Sequence, residues 1–147
     1  MSQSTVFARF RRLSPLAVRP QHRTCGSAGA DLASVETVEI PPGERRLVRT
    51  GLAVELPLGS SLLICPRSGM AVEHGVTVLN APGVVDADFR GEIKIILVNL
   101  GSKPYKVEPG QRIAQALIVP IARGAWAEAD SLGGTVRGDG GFGSTGE

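Results

Sequence analysis

Two carboxylates and an arginine occupy alternate positions in Gly83-Val84-Val85-Asp86-Ala87-Asp88-Phe89-Arg90-Gly91. In an extended segment Asp86, Asp88 and Arg90 would point to one side, and Val85, Ala87 and Phe89 to the other. Such a group reads either as a solvated turn or as a general base or metal-proximal carboxylate. A second candidate, Pro66-Arg67-Ser68-Gly69-Met70-Ala71, sets a guanidinium and a hydroxyl where a short helix begins. It reads as a helix cap or as a phosphate cradle, because the first N–H groups of a helix lack partners within it. Ala28-Gly29-Ala30-Asp31-Leu32 and Gly110-Gln111-Arg112-Ile113-Ala114-Gln115 are weaker alone, each also reading as a turn before a strand.

The C-terminal stretch differs in kind. From residue 133 to 147, 7 of 15 residues are glycine, accompanied by Arg137, Phe142, Ser144 and Thr145. Gly138-x-Gly140-x-x-Gly143 matches a dinucleotide fingerprint, and Gly138-x-x-x-x-Gly143-Ser144-Thr145 matches a phosphate loop without its lysine. Both motifs need a strand before and a helix after. With only two residues following Thr145, neither fold is expected. Glycine-rich backbone still offers N–H groups to phosphate oxygens, and Arg137, Ser144 and Thr145 add donors. A solubilising tail is the alternative, against which a lone Phe142 speaks, since a nucleobase offers it a face to stack on.

Short strands bounded by turn residues must position these groups. Segments 36–40, 46–56, 61–65, 76–79, 92–99 and 111–119 carry the branched aliphatic residues, and Pro41-Pro42-Gly43, Pro57-Leu58-Gly59, Ala81-Pro82-Gly83, Gly101-Ser102-Lys103-Pro104 and Glu108-Pro109-Gly110 read as turns between them. Both faces of 92–99 are mostly apolar, so that strand is expected at the centre of a sheet. One short helix is expected, capped by Ser68, running through Met70, Ala71, Val72 and His74 and ended by Gly75. A first strand is expected to begin near Val6.

Composition narrows the classes. The chain has 147 residues, 42% hydrophobic and 20% charged, which fits one globular domain rather than a disordered chain. Its 19 glycines and 10 prolines exceed the usual share of about 12% and weigh against a helical bundle. No apolar run approaches the roughly 18 residues of a membrane helix. The net charge of +2 does not suggest a duplex nucleic-acid binder, although residues 1–30 hold five arginines and no acid. That start resembles a transit peptide in composition, but the expectation is a cytoplasmic protein. Cys25 and Cys65, with His22 and His74, match no zinc spacing and no disulfide framework.

Taken in order, the five segments between residues 28 and 146 resemble the five motifs of the trimeric dUTP diphosphatases (dUTPases). The resemblance covers about four fifths of the chain. It implies an all-β, jelly-roll-like barrel or sandwich with one short helix and a flexible glycine-rich C-terminal tail. Residues 1–132 would form the β domain and 133–147 a flexible lid segment of it. It further implies a homotrimer with active sites shared among subunits and no nucleic-acid or membrane partner. The implied reaction is Mg²⁺-dependent hydrolysis of dUTP to dUMP and pyrophosphate, limiting uracil in DNA and supplying dUMP for dTMP synthesis.

Carried over by residue, Asp86 resembles the carboxylate that orients and deprotonates the water attacking the α-phosphate. Arg67, Ser68, Gly69 and Gln115 match the phosphate-binding positions, and Arg137, Ser144 and Thr145 those that close over the γ-phosphate. Asn80 to Val85, with Gly83 among them, resemble the hairpin that reads uracil, and Phe142 the ring that stacks on the base. Asp31 would hold the metal through water, with no direct protein ligand, and Arg112 would be a structural ion-pair partner. Phe89 stands where the family usually has tyrosine packed against deoxyribose. The segment Arg19-Pro20-Gln21-His22-Arg23-Thr24-Cys25 is more basic than expected, and a surface strand edge is the reading it receives. The alternatives are a dCTP deaminase or bifunctional relative, which would need a glutamate base in the pyrimidine pocket, and a non-catalytic nucleotide-binding trimer. For the former, Glu73 falls on the short helix and Glu92 is expected at the surface.

Overall fold

The structure, a computed structural model, describes residues 6–141. Phe142, Ser144 and Thr145 therefore lie outside the described residues. In chain order the elements are β1 (Arg9–Arg12), β2 (Ala30–Ala33), β3 (Val38–Ile40), β4 (Arg45–Glu55), β5 (Ser60–Cys65), α1 (Ser68–His74), β6 (Val76–Val78), β7 (Gly83–Val85), β8 (Glu92–Asn99), β9 (Tyr105–Val107) and β10 (Arg112–Pro120).

The strands form two four-stranded sheets and one pair, all antiparallel, in the orders β1-β4-β8-β6, β2-β10-β5-β7 and β3-β9. The all-β expectation holds, and β8 lies between β4 and β6, as its two apolar faces require. Ile93, Ile95 and Leu97 of β8 join Ile40, Val48, Leu52, Val107 and Ile113 in one buried cluster. Burial of each such side chain favours the fold by about 1.5–3 kcal/mol over leaving it exposed. Among the described residues no helix is long and apolar enough to cross a membrane.

Two local expectations are corrected. The residue at the N-cap of α1 is Arg67, in an extended conformation, with Ser68 already inside the helix and no side-chain cap bond. Gly75 does end the helix, at a φ of 69°, and a Cβ there would lie 2.7 Å from the backbone nitrogen of Gly101. The extended alternation through Asp86, Asp88 and Arg90 stops at Val85. The Phe89 N–H donates to the Asp86 carbonyl at 3.2 Å, closing a turn that carries the chain from β7 in one sheet to β8 in the other. The Arg90 guanidinium secures that turn by donating to the carbonyls of Ala87 (2.6 Å) and Phe89 (3.0 Å).

Candidate active site

The crossover from β7 to β8 leaves a cleft of about 240 Å³ between the sheets. Its walls include Asn80, Gly83, Val85, Asp86 and Phe89, all of them candidates from the sequence, together with Ile64, Glu92 and Ile95. The Asn80 amide nitrogen lies 3.2 Å from where a Cβ on Gly83 would stand, so glycine lets the amide close over the hairpin backbone. Likewise a Cβ on Gly91 would lie 2.5 Å from the tip of the Phe89 ring, so glycine seats that ring at the cleft mouth. Asp86, the first residue after β7, is exposed at the rim.

Glu92 is not at the surface as expected. Its side chain is 12% exposed. It accepts from the Gly51 N–H at 2.9 Å and from Arg49 Nε at 3.1 and 3.2 Å. Those bonds span the irregularity between Arg49 and Leu52 in the β4–β8 pairing. The carboxylate lining the cleft is thereby committed to backbone geometry.

A second group assembles on the other sheet. The β10 residue Gln115 pairs with Asp31 on β2 and with Cys65 on β5, so the three side chains share a face. Arg112 lies three positions before Gln115, an odd offset that would put them on opposite faces. A bulge between Arg112 and Ala114 restores the phase and turns Arg112 toward Asp31. The chain leaving β5 delivers Arg67 to the same place. A Cβ on Gly29 would collide with the Gln115 side chain, whose amide donates to the Pro66 carbonyl at 2.9 Å. Glycine at 29 thus allows Gln115 to lie between the two segments.

Asp31 is the hub of this group. Its Oδ2 accepts from Arg112 and from Arg23, each at 3.0 Å, and Arg67 Nε lies 3.4 Å from Oδ1. Arg67 also donates to the Arg112 carbonyl at 3.0 Å. Burial raises the Asp31 pKa, but the hydrogen bonds from Arg112 and Arg23 and the charges of Arg67 and Arg112 outweigh it and hold the carboxyl below its ordinary value. The ion pair expected of Arg112 is present. The segment around Arg23 is at the surface, as expected, but only Gln21 is strand-like, bridging Asp31 at the edge of β2, and the residues after it form a loop whose Arg23 reaches Asp31. The separation of eight positions between Arg23 and Asp31, across a loop, leaves this contact without a signature in strand periodicity.

Among the described residues no hydrogen bond joins the cleft to the arginine group, and Arg67, Gln115 and Asp31 do not line the cleft. Arg137 stands apart from both. Its Nε donates to the Gly140 carbonyl at 2.8 Å, within a turn opened by Thr135. No cluster of three or more His, Cys, Asp or Glu side chains able to hold a metal occurs among the described residues.

The family model described as dUTPase matches residues 17–146. A deoxyuridine 5'-triphosphate nucleotidohydrolase of Wolinella succinogenes is 52% identical over 139 residues, covering 95% of this chain and 93% of the relative. Its namesake in Crocosphaera subtropica is 49% identical over 135 residues, covering 92% and 95%. Among solved structures, the dUTPase of Staphylococcus bacteriophage 80alpha with dUpNHpp aligns at a TM-score of 0.87 and 29% identity, over 97% of this chain and 100% of its own.

Proposed function

The chain belongs to the dUTPase family and hydrolyses dUTP, and we propose that Asp86 aligns the attacking water while the cleft holds the deoxyuridine and the arginine group holds the phosphates. The observation that carries this reading is the gathering of Asn80, Gly83, Val85, Asp86 and Phe89 around one cleft. At about 240 Å³ it is small for a ligand pocket and suits a pyrimidine ring with its sugar. Backbone groups of the 80–85 hairpin and the Asn80 amide would read the uracil edge, and tight walls would exclude a 5-methyl group. The Asp86 carboxylate accepts the proton of water as it attacks the α-phosphorus in line, and pyrophosphate leaves.

Arg67, Ser68, Gly69 and Gln115 would hold the phosphate chain. Arg137, Ser144 and Thr145 would close over its γ end, with Phe142 on the base and residues 133–147 acting as a lid on the 1–132 domain. Separation of the cleft from the arginine group supports an active site completed between subunits of a homotrimer.

The family uses a divalent metal, here proposed to be Mg²⁺, which neutralises phosphate charge when bound. The donor set fits an ion held by phosphate oxygens and water rather than by a protein cage. Asp31 has about four acceptor directions; Arg112 and Arg23 take two of them at Oδ2, and Arg67 stands 3.4 Å from Oδ1 as an ion-pair partner. That leaves acceptor capacity for a metal-bound water. The reading places the enzyme in the cytoplasm, without nucleic-acid or membrane partners.

Product analysis with Mg²⁺ and, separately, dUTP, dCTP, dTTP and UTP tests the assignment. Pyrophosphate from dUTP alone is expected. Ammonia from dCTP would move the chain to the deaminase branch, and silence with all four would make it a binding protein. The position of Phe89 at the cleft mouth adds a second expectation. Phe89→Ala should raise kcat/KM for UTP relative to dUTP, because the ring excludes the ribose 2′-hydroxyl sterically. An unchanged ratio of the two values would show that the sugar is selected elsewhere.

A further inference from the structure

We propose that Arg23, in the loop before β2, is a further phosphate-contacting residue of this enzyme, the third cation of a cradle organised by Asp31. The inference rests on the reading of Arg67 as a phosphate ligand. One carboxylate receives three guanidinium groups, from Arg112 and Arg23 at 3.0 Å and Arg67 at 3.4 Å. Neutralising Asp31 needs one of them, and Arg112 already provides it. The surplus leaves a local charge of +2 around a side chain only 15% exposed, where like charges repel unless an anion joins them.

Arg23 is placed by its loop rather than by chance. The Asp31 N–H donates to the Gln21 carbonyl at 2.9 Å, closing the loop at its base. Thr24 and Ser27 lock its tip, with the Thr24 N–H donating to the Ser27 hydroxyl at 3.0 Å and the Ser27 N–H to the Thr24 carbonyl at 3.1 Å. Only Nε of Arg23 is engaged by Asp31, and its side chain is 56% exposed. Among the described residues the two terminal nitrogens of its fork make no hydrogen bond, on a guanidinium that shares the Asp31 carboxylate with Arg67, which leaves them for phosphate oxygens.

The test compares wild type, Arg23→Ala, Arg23→Lys and Arg67→Ala. It measures calorimetric binding of dUpNHpp and of dUMP with Mg²⁺, kcat and KM for dUTP, and Tm. Arg23→Ala is expected to weaken dUpNHpp about tenfold and raise KM by a similar factor. It should leave kcat within about threefold, dUMP affinity within about twofold and Tm near wild type; Arg23→Lys should recover part of the loss. Weakening of dUpNHpp by Arg67→Ala but not by Arg23→Ala would overturn this inference alone. Equal loss of dUMP and dUpNHpp in Arg23→Ala, or a loss explained by a lowered Tm, would reduce Arg23 to a structural clamp on Asp31. No effect of either substitution on dUpNHpp would overturn both this inference and the phosphate reading beneath it.

Discussion

Asp86→Asn should lower kcat by about 10²–10⁴-fold, the range a positioned general base contributes, while the affinity for dUpNHpp stays within a few-fold of wild type. The substitution isolates the chemistry because the fold does not use this carboxylate. The turn after β7 is closed by the Asp86 backbone carbonyl, which asparagine keeps, and among the described residues the side chain makes no hydrogen bond. Asparagine also keeps the shape and one acceptor oxygen, so a water can still be oriented but not deprotonated. Steady-state kinetics on dUTP with parallel calorimetry on dUpNHpp would check this. A loss of tenfold or less would assign the proton to another group, and a matching loss of dUpNHpp affinity would make Asp86 a binding residue.

What the sequence made legible follows from the range of the forces involved. Turns marked by proline and glycine, the central place of β8 and the end of α1 at Gly75 are local consequences of backbone chemistry and patterning, and they appear where expected. The cleft was legible for a related reason. Asn80, Gly83, Val85, Asp86 and Phe89 lie within ten residues, so one hairpin and one turn suffice to bring them together. The members of the arginine group came together only through the family resemblance, which did not include Arg23, and their contacts were not legible from periodicity. Those contacts span 8 residues from Arg23, 36 from Arg67 and 81 from Arg112 to Asp31, and the last depends on a bulge that resets the two-residue period of β10. A bulge leaves no fixed mark in composition, so periodicity alone assigns Arg112 to the wrong face. The buried contacts of Glu92 escaped notice for the same reason, since they depend on the irregular pairing of β4 with β8. The β9 strand, three residues long, is defined only by its pairing with β3.

Deleting residues 137–147 should leave folding intact while sharply reducing turnover. The last strand among the described residues, β10, ends at Pro120, and residues 121–139 are exposed and 140–141 half-buried, so among the described residues the deletion removes no buried core residue. The bonds lost among the described residues are those of the turn held by Arg137 and Thr135. Changes of this kind at a surface are worth within about 0.5 kcal/mol, so Tm should shift by no more than a few degrees. For the substrate the consequences are larger. Stacking of one base on an aromatic ring is worth about 1–3 kcal/mol, and a guanidinium on phosphate contributes a charge-assisted bond of about 1.5–3 kcal/mol. If Phe142 and Arg137 supply these, their joint removal should lower kcat/KM for dUTP by about 10²–10⁴-fold, with water exclusion from the closed site adding to the loss in kcat. Kinetics of the truncated enzyme, with its melting curve and sedimentation as controls for fold and assembly, would check this. Wild-type turnover in a folded, truncated enzyme would refute the lid and leave the triphosphate to Arg67 and its neighbours alone.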